Sequence, residues 1–278
     1  MLKKLLRYDL KSVFKYWWIA AIASIGLSTI GGLCLSIATT GKDVPPLIAV
    51  LIVFAVIFTI FGIIAFSILS LILVYVRFYK NFFTDEGYLT FTLPVKRSQL
   101  LNSKLISSVL TMCCTSAILI ADIFILLALG IGQPFFDEFL TPFVQFISEL
   151  FVELPIEGHL YIFTWAVLVL ISFLLSSIFS TLFLFACITF AAVITKKAKV
   201  ITAIGIYYAA SGVMTGFLQI LYMFGFTSII DWIAELPQNT VKLFITAILL
   251  GITLALALVC LMLYTLEYFM LDRKLNLS

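Results

Sequence analysis

The residues able to do chemistry are few and far apart in this chain. Its one histidine, His159, stands at the outer edge of an apolar run and has no His-Glu-x-x-His around it. A serine/histidine hydrolase working inside a membrane would want that histidine within the run, beside a serine, so His159 reads as a boundary residue. The five cysteines (Cys34, Cys113, Cys114, Cys187 and Cys260) all fall inside apolar runs without zinc spacing, and read as small apolar helix residues. No metal site is expected. No Gly-x-x-x-x-Gly-Lys-Ser/Thr loop is present, so the chain does not hydrolyse ATP by that route.

Two places remain. The first is Asp122, alone in a long apolar run. A carboxylate at the centre of a membrane helix costs roughly 2.5–3.5 kcal/mol on insertion scales. Two roles are open to it. It handles substrate or protons along a pathway, or it is a carboxyl near the outer interface, hydrogen-bonded to a Ser or Thr of a neighbouring helix or protonated. The second place is the polar stretch from Arg77 to Lys104. It carries Arg77, Lys80, Lys96, Arg97 and Lys104 against Asp85 and Glu86, around an alternating run from Gly87 to Pro94. Here Asp85 and Glu86 can pair with basic groups of a partner. Tyr88, Leu89 and Phe91 can fill apolar pockets, as interface anchors do, and Pro94 ends the element. A merely structural inner loop capping two helices is the plainer alternative.

The elements that would position these groups follow from composition. Of 278 residues, 63% are hydrophobic and 11% charged, against about 25% charge in a soluble domain. Six runs are long enough for the ~20 residues a spanning helix needs: 17–38, 47–76, 105–132, 160–195, 200–225 (its apolar character continuing to Ile230) and 243–266. They are continuous rather than alternating, which excludes barrel strands. The run 160–195 holds no Gly, Pro or polar turn and reads as one long helix. The fold class expected is all-α and polytopic, a single transmembrane domain over 1–278.

Charge orients it. All but two of the 17 Lys and Arg residues fall at 1–16, at 77–104, at Lys196, Lys197 and Lys199, or at Arg273 and Lys274; Lys42 and Lys242 are the exceptions. The positive-inside rule places these segments, with both termini, in the cytoplasm. Asp43, Asp137, Glu138, Glu149, Glu153, Glu157, Asp231 and Glu235 crowd the other side. The net charge of +3 therefore reflects membrane topology, and no nucleic-acid partner is expected. Glu267 and Asp272 close the sixth span with no role assigned to them.

Residues 1–16 read as an uncleaved amphipathic helix on the lipid surface. Leu2, Leu6, Leu10, Val13 and Trp17 form its stripe, with the basic residues off it. Tyr16, Trp17 and Trp18 suit an aromatic belt. Outside, 133–159 shows Phe136, Phe139, Phe143, Phe146 and Leu150 at helical spacing, bent at Pro142. The segment from Phe226 to Gln238 repeats that pattern in miniature. In the fifth span Gly205, Ala209, Gly212 and Gly216 offer a small-residue face for close helix approach, within the chain or across a dimer.

The run Thr84-Asp85-Glu86-Gly87-Tyr88-Leu89-Thr90-Phe91-Thr92-Leu93-Pro94-Val95, followed by Ser98-Gln99-Leu100-Leu101 and Ser103-Lys104, resembles the cytoplasmic loop of type-2 ABC transporter permeases of Gram-positive bacteria. The ending Arg273-Lys274-Leu275-Asn276-Leu277 is similar to theirs, as is the layout of six spans with a basic amphipathic start. The resemblance implies a permease subunit in the bacterial cell membrane. It would pair with a second permease chain, identical or paralogous, and with separate ATP-binding subunits that hold ATP and Mg. The 77–104 loop would seat on the ATPase, the second and fifth helices would face the pathway, and the cargo would be a peptide, a lipid-like molecule or an antibiotic. A secondary transporter using Asp122, and a membrane scaffold or sensor subunit, are the rival expectations.

Overall fold

The structure is a computed structural model, and it describes residues 2–40, 45–84, 97–142, 144, 145, 148, 156–195, 199–221 and 237–273. Six long helices cross these residues: α1 (Leu2–Thr40), α2 (Pro46–Phe83), α3 (Arg97–Ile131), α4 (Ile156–Ile194), α5 (Lys199–Leu221) and α6 (Gln238–Arg273). Each is long and apolar enough to cross a membrane, and no strand occurs among the described residues. The chain is a multi-pass, all-α membrane protein. In lipid only a helix satisfies every backbone group by itself, so continuous apolar sequence can take no other open form.

The helices are longer than the bilayer requires. At 1.5 Å per residue, the 38 residues of α2 extend about 57 Å, against a hydrocarbon core of about 30 Å. The surplus carries the charged ends of α2 and α3 beyond the apolar layer. The amphipathic stretch 1–16 continues into the first span as one helix, because neither Gly nor Pro interrupts Leu2–Thr40 before Gly26.

The chain forms two compact units. In the first, Met1–Phe78 with Asn102–Leu154, α1 packs between α2 up to Phe78 and α3 from Asn102, while Tyr79–Leu101 belongs to the second unit. Its neighbours on α2 run backwards (Gly31 to Thr59, Leu27 to Gly62, Trp17 to Phe66, Asp9 to Arg77), so the pair is antiparallel. Its neighbours on α3 run forwards (Asp9 to Lys104, Trp17 to Thr115, Gly32 to Leu129, Leu35 to Gly130), so that pair is parallel. Trp17, Ala21 and Phe66 form a core cluster edged by Phe14, Leu73, Cys114 and Ile118. In the second unit α4 packs along α6, with the Cys260 thiol on the Leu175 carbonyl and Thr189 against Glu267. It also meets α5, where Phe183 contacts Tyr207 and Thr195 contacts Thr202.

Close approach in the first unit depends on glycine. A Cβ at Gly32 would lie 2.9 Å from Leu129 Cβ and 3.3 Å from the Ile125 carbonyl oxygen, and backbone does not yield as a side-chain tip does. Gly32→Val is expected to push α1 from α3 and lower stability by about 1–3 kcal/mol, read as an earlier thermal transition in detergent. Gly26→Val, where nothing lies within 4 Å of the added atom, is the control expected to change little.

α3 ends at Gly132, whose φ of 70° is the left-handed conformation that helix C-termini assign to glycine. The chain then enters a π-helical segment, Phe135–Leu140. The widened turn precedes Pro142, which has no N–H to offer the preceding turn. The first part of the stripe expected outside lies here. Phe135 is the buried ring, edge-on to Phe124 at 5.7 Å and stacked on Phe139, while Phe136 and Phe139 are exposed. Phe143, Phe146 and Leu150, and nearly all of the segment from Phe226 to Gln238, lie outside the described residues.

Candidate functional site

The buried face of α1 runs through Asp9, Val13, Trp17, Ala21, Ser24, Ser28, Gly31 and Gly32. These recur three or four residues apart, the spacing of one helix face. The stripe differs from the one read in sequence, since Leu6 and Leu10 are only half-buried and the acid Asp9 is 3% exposed. Two cations make this possible. From α2, Arg77 Nη2 donates to Asp9 Oδ1 at 2.7 Å; from α3, Lys104 Nζ donates to the same oxygen at 2.5 Å. The Ser103 hydroxyl donates to Oδ2 at 3.4 Å. Side-chain exposure is 17% for Arg77, 9% for Lys104 and 4% for Asp9. Charge-assisted bonds of this kind are the strong class, and a buried charge persists only when so paired.

Arg77 and Lys104 are the two ends of the charged stretch that stood out in sequence. One carboxylate on α1 therefore pins both roots of that stretch. The residues expected to meet a partner (Asp85, Glu86, Tyr88, Leu89, Phe91 and Pro94) lie outside the described residues. The described flanks are helical on both sides: Phe82 and Phe83 close α2 and Leu100 and Leu101 open α3, all four buried. The Thr84 hydroxyl donates to the Lys80 carbonyl at 2.6 Å.

Two to three turns beyond Trp17 on the same face of α1, Asp122 of α3 is fully buried beside Ser24 and Ser28. It lies between the level of the Trp17–Thr115 bond and that of the Thr39–Gly130 bond, well inside the helix pair. Neither of its oxygens has a hydrogen-bond partner. The serines are the neighbouring hydroxyls that the sequence reading anticipated in general terms. They stand within reach of the carboxyl while also donating to their own helix, Ser24 to Ala21 O at 3.0 Å and Ser28 to Ser24 O at 2.9 Å.

In the second unit, Glu267 is also fully buried. The Thr189 hydroxyl donates to its Oε1 at 2.5 Å, and Oε2 has no partner. The small-residue face of α5 points elsewhere. Gly205, Gly212 and Gly216 have no atom within 4 Å of an added Cβ, and Ala209 is exposed. That face makes no close approach to a described helix of this chain. The described residues contain no group of three or more His, Cys, Asp or Glu side chains suited to a metal ion.

Asp9 and Glu267 are the residues that sequence reading did not single out. The signal for Asp9 was an acid four residues before Val13 and eight before Trp17 in an otherwise basic segment. An acid at that place needs a cation from elsewhere, or exposure to water. No family model, curated protein or solved structure matches this chain.

Proposed function

We propose that the chain is the membrane-spanning permease subunit of an ATP-driven, type-2 ABC-like exporter in a bacterial cell membrane. In this reading it carries no catalysis of its own. It works beside a second permease chain and takes its energy from a separate ATP-binding subunit, which holds ATP and Mg. The observation that carries the reading is the clamp of Arg77 and Lys104 on Asp9. A docking element between two spans transmits force only if its roots are fixed to the helices it must move, and these roots share one buried carboxylate. By the positive-inside rule the clamp would face the cytoplasm, where an ATPase would reach the 85–96 segment. Asp85 and Glu86 then pair with basic groups of that subunit, and Tyr88 and Phe91 anchor in its pockets. The exposed aliphatic and aromatic faces of α2 and α5, including Phe54, Phe58, Phe61, Tyr208 and Phe217, suit an amphipathic cargo.

Affinity purification from the native host tests this. A stoichiometric ATP-binding subunit is expected to accompany the chain. Glu86→Lys is expected to weaken that association about 100-fold, since a like-charge contact costs several kcal/mol at an interface, and to stop export while the chain still reaches the membrane. A chain that purifies alone, under conditions preserving other membrane complexes, would overturn the reading. A second reading, an ion- or proton-coupled transporter, is favoured by one observation, the unpartnered Asp122. It predicts substrate movement along a proton gradient by proteoliposomes holding this chain alone.

A further inference from the structure

The surroundings of Asp122 present more acceptors than donors, and no cation. Both of its carboxyl oxygens lack a hydrogen bond. The two groups facing it, Ser24 and Ser28, are 2% and 0% exposed, and each has given its single proton to a carbonyl of its own helix. Four oxygens therefore share only two hydroxyl protons, which also serve carbonyls of α1. Buried polar groups are paired in nearly every protein, so an orphaned carboxyl calls for a missing partner.

The partner has to be small and positive. No charged side chain faces the site from any helix of this unit: α1 carries none between Trp17 and Ala38, α2 none between Leu47 and Val76, and α3 none but Asp122 between Leu105 and Ile131. The Asp9 clamp is about 22 Å away along α1, fifteen residues at 1.5 Å each. A metal cation of oxygen chemistry wants six or more ligands. Here α1 and α3 are unbroken helices, whose backbone carbonyls are committed to the helix, leaving four side-chain oxygens. A proton needs only two.

We infer that Asp122, Ser24 and Ser28 form a proton-binding site within the α1–α3 interface. The carboxyl takes one proton from hydronium, leaving water. It then donates that proton in an O–H···O bond to a serine oxygen, which removes the charge and supplies the missing donor together. Release returns the proton to water and leaves a carboxylate that the serine hydroxyls satisfy by turning from their helix carbonyls, or that water satisfies on entering the seam. Proton occupancy is thereby coupled to the hydrogen bonding between α1 and α3. The inference concerns the α1–α3 seam and does not depend on the ATP-driven reading.

Infrared difference spectroscopy of the purified full chain in lipid nanodiscs tests it. A carboxylic-acid C=O band that shifts in D2O is expected in the wild type. One residue's worth of its intensity should vanish in Asp122→Asn, whose amide can donate to the same serine oxygens and keep the fold. Subtracting the two spectra removes any contribution from Glu267. Ser24→Ala with Ser28→Ala should keep the band and move it, because the acceptor of its O–H is gone; this second variant carries the test if Asp122→Asn does not fold. No acid band that depends on Asp122 or on the serines would overturn the inference. So would a thermal transition that rises with sodium at constant pH and ionic strength in the wild type but not in Asp122→Asn, which would assign the site to a metal cation.

Discussion

Asp9→Ala is expected to destabilise the first unit by about 3–5 kcal/mol, the usual cost of removing one partner from a buried ion pair. The reason lies in what stays behind. Arg77 and Lys104 both approach the same carboxyl oxygen, at 2.7 and 2.5 Å. Without it, two mostly buried cations lose the carboxylate that they share. At an effective dielectric constant of 20 their repulsion alone is about 4 kcal/mol at 4 Å separation. Asp9→Asn keeps the size and an acceptor but not the charge, and should fall between wild type and alanine. Arg77→Met in the Asp9→Ala background should recover part of the loss, since the repulsion then has only one member. The thermal transition in detergent is the first readout. The second is cleavage of the 85–96 segment by a protease added at the basic face, expected to accelerate when its roots are released. An Asp9→Ala chain as stable and as protease-resistant as the wild type would remove the clamp from the argument.

Trp17→Ala is the second large effect, expected at about 3–5 kcal/mol for a large aromatic lost from a packed core. Trp17 is 1% exposed and sits where all three helices of the first unit meet. Its ring contacts Phe14 at 5.2 Å, Trp18 at 5.5 Å and Phe66 at 6.0 Å. Its indole N–H donates to Thr115 Oγ1 at 3.0 Å, and the Thr115 hydroxyl donates onward to Thr111 O. Trp17→Phe separates the two contributions. It leaves an aromatic ring in the cluster and loses the hydrogen bond, and should cost about 1 kcal/mol from that bond plus a smaller packing loss. Trp18→Ala, one residue along but 55% exposed, should cost far less. Equal losses at positions 17 and 18 would mean that membrane anchoring, not packing, holds this end of α1.

How much of this was legible beforehand varies with the kind of interaction. The six spans were legible because each rests on its own composition: α4 reads as one helix over Ile156–Ile194 from the absence of any breaker. The end of α3 was blurred by a residue, with Gly132 outside the helix, because the left-handed turn is a backbone fact that apolar character does not report. The outer phenylalanine stripe was legible in part: Phe136 and Phe139 are exposed, as an outward apolar stripe would be, but the burial of Phe135 beside the π-helical turn was not anticipated. Glycine spacing alone also pointed to α5. Among the described glycines the tight contacts within this chain are at Gly31, Gly32, Gly62 and Gly130, since close packing needs a partner helix on the other side and spacing names only one of the two.

The sequence by itself determined that this is an all-helical multi-pass membrane protein, and that its charged stretch lies between the second and third spans. Both follow from local rules: an apolar run of sufficient length folds as a helix in lipid whatever its neighbours are, and charge is excluded from that run. Tertiary structure alone decided which polar residues turn inward and what they meet. Asp9 finds its cations 68 and 95 positions away, Glu267 its hydroxyl 78 positions away, and Asp122 its two serines on a helix almost a hundred residues earlier. A buried charge is affordable only beside a specific partner, and in a chain of parallel and antiparallel helices that partner is chosen by packing register.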